Sequence, residues 1–174
     1  MNKELLSALR DINLTRAAEL LAAGADINSR TEIDESFLND IIHIEDVAER
    51  HTVVRFMLAH GADPRLISPD GGGPLFAAVI AADTVVLRLL LDHGADPNQE
   101  HDGGETLYEY AEFDYLYEIF DLHPPEKPTA ADKATPETWL LFLDRIAVQY
   151  GYRRPDYLFL LRERGALTSA EQQK

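Results

Sequence analysis

The sequence predicts an all-α solenoid of about five helix-turn-helix units, and three observations carry that prediction. Gly-Ala-Asp recurs at 24–26, 61–63 and 94–96, spaced 37 and 33 residues apart, and a weaker copy, Gly165-Ala166, follows after 71. Each copy closes an apolar run of helical spacing, such as Val85, Val86, Leu89 and Leu90. Upstream of the third copy, SPDGGGPLFAAVIAAD reads as a turn, a proline at a helix start and a small-residue helix. A turn plus two antiparallel helices cannot bury its apolar face alone, and stacking such units can.

The repeated tripeptide has a physical reading. Glycine ends a helix where the backbone turns left-handed, and the aspartate two residues later can accept from amides of the exit turn. Unit one begins directly in a helix, with Leu5 and Ala8 inward, as a cap would. Unit two carries about four extra residues within RTEIDESFLND before its first helix. Unit three is the most regular. The interval of 71 implies that one unit between 96 and 165 has lost its signature. Approximate boundaries are 1–30, 31–66, 67–99, 100–134 and 135–174, forming one domain.

Unit four diverges most. Its tip is His101-Asp102-Gly103-Gly104, followed by ETLYEYAEFDYLYEIF, with six aromatic residues and five carboxylates. Two helices with about two residues deleted between them are expected here, Leu107, Tyr110 and Ala111 facing inward on the first and Leu116, Ile119 and Phe120 on the second. Tyr115 and Tyr117 are open to either reading, Phe113 is expected exposed, and Glu109, Glu112 and Glu118 solvated. A linker over about 121–134 precedes TPETWLLFLDRIAVQY, with Thr135 as N-cap and Pro136 at the first helical position. Its inward stripe is Trp139, Leu140, Leu143, Ile146, Ala147 and Tyr150. A last helix over about 156–164 forms a divergent C-terminal cap.

With its tip, its TPLHxAA helix and its LL-Gly-Ala-Asp ending, the repeat resembles the ankyrin repeat family. Unit three carries it best: Asp70-Gly71-Gly72-Gly73-Pro74-Leu75-Phe76-Ala77-Ala78, then Leu89-Leu90-Leu91-Asp92-His93-Gly94-Ala95-Asp96. Gly73 stands for Thr and Phe76 for His. Ile42-His43 is aligned with Leu-His in unit two, so His43 is expected to be the structural histidine tying backbone turns together, and Tyr108 takes the His position in unit four. The resemblance implies an ankyrin-repeat solenoid with short hairpin-like tips.

Composition limits function. With no cysteine among 174 residues there is no disulfide framework or thiolate nucleophile. No run approaches the length of a membrane helix, and the polar start does not read as a signal peptide, so a cytoplasmic protein with no membrane partner is expected. Net charge is −15, and between Arg88 and Lys127 eleven acids face no Lys or Arg. Such a body disfavours nucleic acid and favours a basic partner, although solubility alone explains acidity equally well.

Catalytic constellations fail individually. Gly71 to Gly73 lack the Lys-Ser/Thr of a phosphate loop and suit a tip. His60 and His93 share one position before glycine, where helix C-termini favour them without a metal. DPNQEHDGG fails as a calcium loop, with His101 and Leu107 where Gly and Glu belong. No cofactor, metal or catalytic residue is expected.

Ankyrin proteins generally act as binding scaffolds through tips and first helices lining a concave groove. Carried over by position, the partner-binding candidates are Asp34, Glu35, Phe37, Asp70, Ile80, His101, Asp102, Glu105, Glu112 and Phe113. A non-enzymatic scaffold, favoured as a monomer, that binds a basic or mixed protein surface through this groove, expected to be acidic, is the reading. An immunity-type inhibitor of a bacterial toxin is a narrower version. An enzyme or regulatory subunit with a site in 100–157, using Tyr108, Asp114 and Tyr115, is the alternative.

Overall fold

The computed structural model describes residues 1–69, 71–99 and 105–173. Among these every regular element is an α-helix, and the only β-bridge pairs Arg30 with Ser36. None of the described helices is long and apolar enough to cross a membrane. The chain divides into two compact units, Met1–Asp96 and Pro97–Lys174.

The first unit holds three helix pairs: α1 (Asn2–Arg10) with α2 (Leu14–Ala22), α3 (Phe37–Ile42) with α4 (Val47–Ala59), and α5 (Pro74–Ile80) with α6 (Thr84–Asp92). Along the unit α1 packs on α3, α3 on α5 and α4 on α6. The interior is made by the apolar stripes, with Leu5, Leu9, Ile41, Val53, Met57, Val86 and Leu90 all enclosed. Burying one such side chain is worth about 1.5–3 kcal/mol, so stacking supplies what short helices lack in isolation.

The tripeptide turns behave as their chemistry requires. Gly24, Gly61, Gly94 and Gly165 have φ of +95°, +85°, +92° and +86°. Asp26 and Asp63 each accept from the amide two residues on, at Asn28 and Arg65, at 2.9 and 3.0 Å. His60 and His93 end α4 and α6, and Nδ1 of each lies 2.8 Å from the carbonyl four residues back, at Phe56 and Leu89.

Asparagine side chains then tie one turn to another. Asn28 donates from Nδ2 to the Gly61 carbonyl at 3.1 Å and accepts from the Asp63 amide at 2.7 Å. In the second unit Asn98 does the same, donating to Gly165 at 2.9 Å and accepting from Leu167 at 2.8 Å. Asn98 is therefore tied to the turn at 165–167, 67 residues further along the chain.

The second unit explains the long interval. Residues 107–120 form one helix, α7 (Leu107–Phe120), where two helices with a deletion were expected. Neither Gly nor Pro interrupts the segment, so nothing ends the first turn-run. The packing partner of α7 is α9 (Asp156–Glu163), while α8 (Pro136–Tyr150) lies between them in the sequence and α10 (Ser169–Gln172) follows. The described part of 100–134 holds no helix pair of its own.

Two register expectations also change. Ser36 caps α3 through the Asn39 amide, so Ser36-Phe37-Leu38-Asn39 opens the first helix of unit two. Asn39 is buried, whereas His43 ends that helix and is exposed, outside any structural role. Thr106 caps α7, which sets Tyr108 level with Leu38 and Leu75 rather than with Phe76. On α8 the cap Thr135 and Pro136 hold as expected, but Tyr150 is exposed and Phe142 takes its place in the interior.

Candidate functional site

The expected partner-binding residues divide by environment. Asp70, His101 and Asp102 lie outside the described residues. Asp34 is exposed, at the left-handed corner of the 30–36 tip, and Glu35 is half-buried beside it. Ile80 is exposed at the end of α5. Phe37 is a correction: it is 2% exposed and belongs to the interior, because it is the first residue of α3 rather than part of the rim.

In the first unit a groove of about 540 Å³ runs between α1 and the 30–36 tip, with Leu6, Arg30 and Ile33 among its lining residues. Two of its acids, Glu32 and Asp40, are already paired. Lys3 holds Glu32 at 2.6 Å, Arg10 holds Asp40 at 2.8 Å, and Arg30 lies 3.7 Å from Asp34. Arg30 also donates to the carbonyls of Asp34 and Ile67, at 2.6 and 2.9 Å, which fixes the tip. The groove is mixed in charge, not acidic.

Further acid lies on and just before α7. Thr106 and Glu109 form a capping box, each side chain meeting the other's amide, at 3.2 and 3.0 Å, and Glu105 is exposed just before it. Helical spacing sends Leu107, Tyr108, Ala111 and Tyr115 inward and leaves Phe113 and Tyr117 outside, 54% and 56% exposed. Those two rings stack with centroids 6.5 Å apart and planes 9° from parallel. Beside them Asp114 and Glu118, one turn apart, form no ion pair among the described residues. Burial, and then the Glu118 charge, push the Asp114 carboxyl up from its ordinary value. An acidic, aromatic strip thus runs along the outer face of α7.

The inner rings are satisfied unevenly. Tyr115 donates to the Arg153 carbonyl at 2.6 Å and Tyr157 to that of Ala111 at 3.1 Å, and the two rings meet edge to face at 6.2 Å. The Tyr108 hydroxyl is enclosed without a partner among the described residues. Burial raises the pKa of all three phenols. No group of three or more His, Cys, Asp or Glu able to hold a metal occurs among the described residues.

Glu109 and Glu112 are not freely solvated. Glu109 accepts from the amide and hydroxyl of Ser169, at 2.9 and 2.6 Å, tying α7 to the start of α10. Glu112 is half-buried toward Trp139 of α8, away from the Phe113–Tyr117 strip. No spacing in the sequence signals this, since the approach of α8 is a tertiary event.

Comparison with family models supplies the decisive observation: residues 70–102 match the ankyrin repeat. One stretch of the chain is thus similar to an ankyrin repeat. No curated protein matches the sequence. The matched stretch contains α5 and α6, capped by Gly73 and Asp83 and closed by the Gly94 turn. With only helices as regular elements among its described residues, the protein fits an all-α ankyrin-repeat solenoid, and such repeats typically mediate protein–protein binding.

Proposed function

We propose that this protein is a non-enzymatic, cytoplasmic interaction scaffold that binds a basic or mixed protein surface. The observation that carries the reading is the outer face of α7, where Phe113 and Tyr117 stack in solvent beside unpaired Asp114 and Glu118. Like charges one turn apart on a helix cost a few tenths of a kcal/mol, and a cationic partner relieves that repulsion while its side chains lie over the rings. Glu105 extends the strip at the start of the helix, and Asp34, Glu35 and Ile80 are further candidate contacts on the first unit.

Affinity capture of the tagged full chain, at low and moderate salt with mass spectrometry, tests the reading. Basic proteins should be recovered at low salt, weaken as salt rises, and be lost with Asp114→Lys/Glu118→Lys and with Phe113→Ala/Tyr117→Ala. Recovery that ignores both salt and these substitutions overturns it.

A further inference from the structure

A second recognition feature lies on the opposite side of α7. A cavity of about 400 Å³ opens between α7 and the start of α8, lined among others by Glu109, Glu112, Lys133, Thr135, Trp139 and Thr168. Its chemistry is lopsided. Glu112 forms no ion pair among the described residues. Its carboxyl is pushed up by burial, offset in part by hydrogen bonding from the Trp139 indole and raised again by the Glu109 charge.

The nearby guanidinium does not answer that charge. Arg162 lies 5.2 Å over the Tyr108 ring, but its N–H groups are committed to the Ala166 carbonyl at 2.7 Å, to Glu171 at 2.8 and 2.9 Å, and to Glu137.

We propose that this cavity receives a single alkylguanidinium group, as an arginine side chain of a partner presents it. Guanidinium supplies several N–H donors in a fixed plane and is weakly hydrated. It therefore suits a half-buried site whose lining offers the Glu112 carboxylate and the Thr135 and Thr168 hydroxyls as acceptors. The indole of Trp139 forms one wall. This pocket stands apart from the outer strip and does not depend on it.

The protein's single tryptophan makes the test direct, because the Trp139 indole N–H gives one unique ¹⁵N–¹H signal. Titration of the full chain with propylguanidinium should shift that signal saturably at concentrations up to about 10 mM, the range of a weak single-group contact. Propylammonium should shift it several-fold less. The response should vanish in Glu112→Gln, whose fold is checked by the rest of the spectrum, and persist in Asp114→Asn/Glu118→Gln. No saturable shift, or an equal shift in Glu112→Gln, overturns the proposal. A shift seen only in Lys133→Gln shows that the chain's own lysine fills the cavity, and also overturns it.

Discussion

Arg50 and Asp83, enclosed at 8% and 7% exposure, meet with Nε 2.8 Å from Oδ2, joining α4 to the start of α6. Asp83 also accepts from the Val85 and Val86 amides at 3.1 Å and meets His51 at 2.9 Å, so one carboxylate caps a helix and pairs two neighbours. Arg50 in turn donates to the Ile44 carbonyl at 2.7 Å.

Asp83→Ala should therefore be among the most damaging substitutions in the first unit. It removes a cap and strands a buried guanidinium, a loss of about 3 kcal/mol, to be read by urea denaturation followed by circular dichroism. Burial opposes ionisation of Asp83, but the Val86 amide, Arg50 and His51 outweigh it and hold its pKa below the ordinary 3.8. A carboxyl depressed by folding stabilises above its unfolded value and loses that contribution as pH falls through the folded one. The wild type should weaken below about pH 4 through this group, and Asp83→Asn should flatten that part of the profile.

Glu112 predicts the opposite sign. Its carboxyl is raised by folding, so the native state holds the proton more tightly and stability falls as pH rises from the ordinary 4.5 toward the folded value. Glu112→Gln should accordingly be at least as stable as wild type at neutral pH. The Trp139 indole signal should titrate with a midpoint above 4.5 in the wild type and not in the variant.

Asn98→Ala should open the turn at 165–167. It deletes one acceptor and one donor to the backbone, a cost of about 1–3 kcal/mol, and hydrogen exchange at the Leu167 amide should accelerate with it. Asn28→Ala should do the same at Asp63. Unchanged exchange at either amide would show that the asparagine is incidental to its turn.

Ala82→Gly should stabilise. Ala82 sits at φ +46° between α5 and α6, as Ile12 does at +57° between α1 and α2. A left-handed residue with a Cβ costs roughly 1–2 kcal/mol, and glycine returns part of that as unfolded-chain entropy. A gain of about 0.5–1 kcal/mol in thermal denaturation is expected.

The periodic parts of the chain were legible because their signals are local. Glycine before Ala-Asp, histidine one residue earlier and proline after Thr135 each act through neighbours in sequence, and each lies where that chemistry puts it. What escaped was tertiary. The single helix 107–120 was divided in two to fit a family length, and the Ser36 cap was missed because an aligned histidine lay seven residues further on. Phe37 was assigned to the rim by the same misplaced register. Of the candidate contacts, Phe113 was legible from helical spacing, whereas Glu112 depends on α8 packing across the linker and leaves no trace in the spacing.

The two asparagine clasps enclose very different lengths of chain. Asn28 reaches 33 residues ahead, and Asn98 reaches 67 for the same bond. Doubling a closed loop costs only about 0.6 kcal/mol in chain entropy, less than the typical single hydrogen bond at about 1 kcal/mol. A whole extra helix, with the cavity it walls, was thus admitted inside one repeat for less than the clasp itself contributes. Length between 98 and 165 is a nearly free variable, and new binding surface can be added there while the turns on either side keep their spacing.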